Sequence, residues 1–158
     1  MSNAGRARLE SYLRDHGVRA ELLEHAHIES AAAEARAAHL PAEQTAKTVV
    51  LRSPAGYRLA VIPASDMLDL NKAAAALDVS RNQLRLATET EMAADFPAHE
   101  VGAVPPVGPD TPAELIDTRL LGYQHVLCSA GDHEHSFLLD PADIVRLTAA
   151  QTVDLRQD

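Results

Sequence analysis

The sequence predicts an α+β fold, a mixed parallel and antiparallel sheet flanked by helices. Three observations lead there. Short apolar runs of strand length interleave with short amphipathic helical stretches along nearly the whole chain. Two turn signals, Pro54-Ala55-Gly56 and Gly131-Asp132, each sit between two such runs and read as hairpins. Helices separate other strand-like runs, as parallel pairing requires.

In order, Arg6–His16 reads as a helix with Leu9, Tyr12 and Leu13 on one face and Gly17 as its stop. Val18–Glu24 is a strand candidate. Ser30 is a suitable N-cap for a helix Ala31–His39, with Glu34 in its first turns, and Pro41 bars continuation beyond Leu40. Thr45–Ser53 and Tyr57–Pro63 form the first hairpin. Asp69 caps a short helix through Leu77, and Leu84–Ala87 is a short strand. Thr88 caps Glu89–Phe96, with Glu91 in capping-box position. Val101–Gly108 is a loop with a β-like entry, and Glu114–Asp117 a short strand. Gln124–Ala130 and Glu134–Leu139 make the second hairpin. Asp140 caps a last helix through Leu147, ahead of a strand Thr152–Leu155.

The 158 residues suit a single domain, 1–158. At 46% hydrophobic and 3% aromatic, the core must be built from Ala, Leu, Val and Ile. A net charge of −9 argues against a broad nucleic-acid surface but leaves room for a small concave site that takes the end of a strand. The lone cysteine, Cys128, excludes an intrachain disulfide and two-cysteine metal motifs. No run approaches the roughly 18–20 apolar residues of a membrane span, and the N-terminus lacks a signal-peptide core. The expectation is a cytoplasmic protein without a membrane partner.

The chain has two lysines and twelve arginines, and one lysine, Lys47, falls inside the strand-like run QTAKTVVLR. Strand alternation puts Lys47 on one face with Thr45, Val49 and Leu51, and Thr48 and Val50 on the other. Both faces are largely apolar, so the strand should be central. An unpartnered buried ammonium is costly. Lys47 therefore pairs with a carboxylate, reaches water at an edge, or lines a cavity that binds a polar or anionic group.

Several ordered motifs together resemble the YbaK/prolyl-tRNA-synthetase-associated domain family. SAAAEARAAHLPAEQTAKTVVL is similar to its helix, loop and Ala-Lys-Thr-Val-Val strand. LAVIPASDMLDLNKAAAALDV resembles its strand, Pro-containing turn and Asp-Leu-Lys helix. RLATETEMAADFP, EVGAVPPVG with its Gly-x-x-x-Pro loop, ELIDTRLL and SAGDHEHSFLLDPADIVRLT follow in family order. The resemblance spans about residues 25–155. It implies a YbaK-like fold and the hydrolysis of the ester between a wrong amino acid and its tRNA. It also implies Lys47 as the functional lysine, with His133 a less direct carry-over from the Gly-Asp-His-Glu run. Gly102, Ala103, Val104, Pro105, Pro106 and Gly131 are the implied substrate-binding residues. Its partners are the acceptor end of mischarged tRNA and, by association, an aminoacyl-tRNA synthetase. Val107 and the short Pro-rich segment Pro109–Glu114 depart from the family pattern, which bears on pocket shape.

An aminoacyl-tRNA is already an activated ester, so its cleavage needs a positioned water and oxyanion stabilisation rather than a metal or a covalent nucleophile. No cofactor is expected. Lys47 would hold a phosphate or ribose oxygen; Gly102 would admit close backbone approach; Pro105 and Pro106 would stiffen a wall that passes small aminoacyl groups. A methylene is discriminated by only about 1–3 kcal/mol in binding, which is why a second, hydrolytic sieve is useful. Bland readings stand beside these: a Gly/Pro connector for 102–108, an exposed turn histidine for His133, and a helix cap rather than a cation partner for Asp117. Two catalytic rivals are a zinc site from His125, Cys128, His133 and His135, whose spacing matches no standard pattern, and a Cys128 nucleophile, set in an apolar run where an inert thiol is usual. A further alternative is a non-catalytic binding module for an aminoacyl-nucleotide or a partner protein. Arg52, Arg58 and Arg85 are candidate helpers for tRNA, without a shared face assigned.

Overall fold

The computed structural model describes residues 3–28, 30–109 and 113–158. Helix α1 (Asn3–Asp15) buries Leu9 and Leu13, with Tyr12 packed beside them. It ends where Gly17 takes a positive φ of 70°, a conformation that costs glycine little. Val18 is held by this helix end, its N–H donating to the Leu13 carbonyl at 2.9 Å. That contact is why β1 covers Glu21–Glu24 rather than starting at Val18.

Ser30 caps α2 (Ala31–Ala37), its hydroxyl accepting from the Ala33 N–H at 3.1 Å. The helix stops short of the expected His39 because His39 swings to φ 58° and Leu40 closes back onto the Ala35 carbonyl at 2.9 Å. Strands β2 (Ala46–Ser53) and β3 (Gly56–Pro63) form the first hairpin, with Ser53 opposite Gly56. Asp69 caps α3 (Leu70–Leu77) through the N–H groups of Asn71 and Lys72. After the short β4 (Arg85–Leu86), Thr88 and Glu91 close a full capping box on α4 (Glu89–Asp95). The expected β-like entry at 101–108 is instead a turn followed by irregular backbone.

Then come β5 (Leu115–Asp117), β6 (Val126–Ser129), β7 (His135–Leu139), α5 (Pro141–Thr148) and β8 (Gln151–Val153). Among the described residues the strands form two sheets, in the orders β1-β7-β6 and β4-β2-β3-β5-β8. The first is antiparallel; in the second, β5 pairs in parallel with both β3 and β8. A parallel bridge between Thr45 and Leu127 ties the sheets together.

One core lies between the sheets and helices α1 and α5, around Leu9, Val61, Ile116, Leu139 and Ile144. A second packs α3 on the other face of β2 and β3, where Ala73 and Ala74 approach Leu51, Ala60, Ile62 and Leu115. Small alanines bring that helix close. Each buried Leu or Ile contributes about 1.5–3 kcal/mol relative to an exposed one, so aliphatic side chains carry a core with few aromatics. A third cluster, Val50, Leu59 and Val104, packs against Met92 and Phe96.

Candidate active site

Strand β2 positions the lysine. Lys47 stands opposite Ile62 of β3, and Val49 opposite Ala60, so Lys47 emerges on the α3 face with Val49 and Leu51, as alternation predicts. Along its other edge β2 is paired by β4 at Leu51 and Arg52 and touched by the β6 sheet at Thr45. Between these points the edge opens into a cleft of about 520 Å³, lined by Lys47, Thr48, Val49 and Val50 in succession. Four consecutive residues from both faces line it because the cleft runs over the edge of the strand. Val50 turns its carbonyl toward the Ala87 N–H at 2.9 Å. Two residues earlier, Thr48 presents its own N–H and C=O on that same side, toward the cleft.

The walls are mostly apolar: Ile62, Leu68, Leu70, Met92 and Val104. Against them Lys47 is half-buried, and its Nζ donates to the backbone carbonyl of Asp66 at 3.1 Å. Among the described residues no carboxylate lies within ion-pair distance. Desolvation lowers the Lys47 pKa below the ordinary lysine value, and the nearby Asp66 charge raises it in part. The Lys47 Nζ is thus held at the cleft by a backbone carbonyl, placed to donate to an anionic or carbonyl oxygen.

The predicted loop contributes unevenly. Gly102 (φ 85°) is exposed and lines the cleft, and Val104 lines it from behind. Ala103, Pro105 and Pro106 are buried and do not line it. Gly131, also buried, braces the loop: its N–H donates to the Ala103 carbonyl at 3.1 Å and its carbonyl accepts from Glu100 at 2.9 Å. Val107 is buried in the first core. Of the Pro-rich segment Pro109–Glu114, residues 110–112 lie outside the described residues.

His133 does not line the main cleft. It borders an adjoining hollow of about 10 Å³ that shares Ser30, Ala31, Gly102 and Ser129 with it. Its ring lies 5.1 Å from that of His27, and Nε2 is 3.7 Å from Glu100; the side chain is 9% exposed, unlike a solvated turn histidine. The same hollow is lined by Glu34, expected from the sequence only as an acidic residue in the first turns of α2. Its carboxylate is buried and accepts from the Ser136 and Ser129 hydroxyls. His25 Nε2 lies 2.9 Å from the Ser136 hydroxyl, behind it. Burial raises the Glu34 pKa, countered by the Ser136 hydrogen bond and by His25. The available signal was Glu34's place beside Ala31, Ala35 and Ala38, on the inward stripe of α2.

The remaining candidates resolve into structure. Asp117 is fully buried: it accepts the Arg119 N–H at 2.9 Å as a cap, pairs with Arg119 Nη1 at 3.0 Å, and accepts the Leu155 N–H at 2.8 Å. Arg58 is committed to Glu114 at 2.8 Å and Arg85 to Glu91 at 2.8 Å, while Arg52 stacks over Tyr57. Cys128 is buried in the first core, and burial pushes its thiol pKa upward, away from nucleophilic use. His135 is engaged by Asp132 at 2.8 Å, and His125 is exposed. Among the described residues no three ligating side chains gather as a metal site.

The aminoacyl-tRNA editing domain model matches residues 25–147, well over half of the chain. Among solved structures, a proposed trans-editing enzyme for prolyl tRNA synthetase is 29% identical, with a TM-score of 0.85 over 98% of each chain. A scaffold protein from work on computational epitope backbone grafting is 28% identical, with a TM-score of 0.84 over 98% of this chain and 97% of that one. A hypothetical protein at 24% identity and a TM-score of 0.83, over 94% of this chain and 98% of its own, shares the fold. No curated protein matches in sequence.

Proposed function

The chain belongs to the aminoacyl-tRNA editing domain family, and from that premise we propose that it acts in trans as a deacylase in the cytoplasm. Its substrate is the ester of a tRNA mischarged with a small amino acid, and an aminoacyl-tRNA synthetase is the partner whose errors it corrects. The observation that carries this reading is the half-buried Lys47 ammonium in a mostly apolar cleft that the exposed Gly102 also lines.

In the reaction, water oxygen bonds to the ester carbonyl carbon. The bond from that carbon to the ribose oxygen breaks, and the ribose oxygen leaves as a hydroxyl with a proton from the water. Lys47 holds a terminal phosphate or ribose oxygen and sets the ester over the β2 edge. The Thr48 N–H offers a fixed donor to the carbonyl oxygen as charge develops on it. His133, which borders the adjoining hollow, steadies the aminoacyl end so that the water meets its carbonyl carbon. Gly102 and Val104 shape the aminoacyl pocket, and Ala103, Pro105, Pro106 and Gly131 fix the loop from behind. These steps run without a metal or a covalent intermediate. A net charge of −9 confines tRNA contact to the acceptor end.

The test is release of amino acid from a panel of mischarged tRNAs, run with and without a chelator. Release of small amino acids, unaffected by the chelator, is expected. Binding without release from any member of the panel overturns the deacylase reading in favour of a binding module.

A further inference from the structure

The cleft and its hollow are chemically opposite. The cleft offers a cation at Lys47. The hollow, reached past Gly102 and Ser129, offers a buried carboxylate at Glu34 with room for about one water-sized group. Two histidines, His25 and His133, line the hollow together with Glu34. The other carboxylate there, Asp132, is already engaged by the Glu134 N–H at 2.8 Å and by His135 at 2.8 Å. Glu34 holds two serine hydroxyls, one of them at 3.4 Å, and a carboxylate with about four acceptor positions has capacity for another donor.

An aminoacyl ester is bipolar in the same sense. Its nucleotide end carries phosphate and its free α-amine is a compact cation of about the size of water. We propose that Glu34 receives the α-ammonium of the aminoacyl group, with Ser129 as a second acceptor. The site then takes free aminoacyl esters and refuses N-acylated ones, whose nitrogen is neutral and whose acyl group the hollow cannot hold. This rests on the deacylase reading for the identity of the substrate. It adds a specificity-determining residue on a different element, α2, from the lysine's strand.

The test separates the two claims by using binding as well as turnover. The probes are 3′-alanylamino-3′-deoxyadenosine, a stable amide analogue of the charged end, and its N-acetyl derivative, titrated into wild-type protein and Glu34→Gln. Wild-type protein should bind the free amine at least about tenfold more tightly, the ratio one charge-assisted hydrogen bond is worth. Glu34→Gln, which keeps size and one acceptor, should lose that preference while binding the N-acetyl probe as before. Thermal unfolding of both proteins identifies a folding failure, and even then equal binding of the two probes by wild-type protein overturns the inference. Equal binding of the two probes by wild-type protein, or equal weakening of both in Glu34→Gln, overturns the inference even if mischarged tRNA is hydrolysed. A retained amine preference without hydrolysis of any tRNA leaves Glu34's role standing and removes the deacylase reading alone.

Discussion

The chain's two lysines face opposite circumstances. Lys72, on α3, is clamped: its ammonium donates to Asp154 at 3.0 Å, Asp158 at 3.2 Å and the Arg156 carbonyl at 2.7 Å. The Asp154 hydrogen bond raises its pKa, and Lys72 in turn helps hold Asp154 down to about 2. Lys47 has apolar walls and a backbone carbonyl, and desolvation lowers its pKa. One ammonium is used up by the fold, fastening the C-terminal segment. The other is kept by the fold at a cost, and a charge held against its own desolvation is a candidate for binding something.

The largest effect that would separate them is catalytic. Lys47→Ala should lower kcat/KM for the best mischarged tRNA by about 10²-fold or more, the loss typical of removing one preorganised donor. Lys72→Ala should stay within about twofold of wild type. Comparable losses in both would break the contrast. Next, Lys47→Arg should recover little, remaining about tenfold or more impaired, because a planar guanidinium does not replace a compact ammonium in a half-buried site. Full recovery would mean that charge alone suffices.

Smaller effects concern stability. Lys72→Ala should lower Tm by a few degrees, whereas Lys47→Ala should leave it unchanged or slightly raised, since removing a desolvated charge relieves a cost. Differential scanning calorimetry reads both. The smallest effects are pH slopes in urea midpoints. Asp154 has a depressed folded pKa, so its contribution is present above the unfolded carboxylate value and is lost as pH falls toward about 2. Lys72→Ala should flatten that acid limb. Lys47 is the reverse case for a lysine. With its folded pKa below the unfolded value, the unfolded chain binds more protons in the alkaline window between the two, and stability rises slightly with pH there. Lys47→Ala should abolish that rise.

Much of this was legible in the sequence. Ser30, Asp69, Thr88 and Asp140 all cap the helices they were expected to cap, because a capping oxygen is a local interaction. The face carrying Lys47 followed from the period of two. What could not be read was the gap along β2, since it depends on where β4 and the β6 sheet stop, and those contacts come from distant segments. For the same reason the Gly–Pro loop looked uniform: Gly102 reaches the cleft while Pro105 and Pro106 are buried. Glu34 was hidden because an acidic residue in a first helical turn is ordinary by local rules. Its partner Ser136 lies on β7, far away along the chain, so no local pattern reveals the contact.

The most direct measurement uses the chain's two lysines as two resolved reporters. With 13Cε-labelled lysine, 3′-alanylamino-3′-deoxyadenosine is titrated in while both signals are followed. The account predicts that the Lys47 resonance moves to saturation and the Lys72 resonance stays still. A saturating probe that moves Lys72, or moves neither, would contradict it.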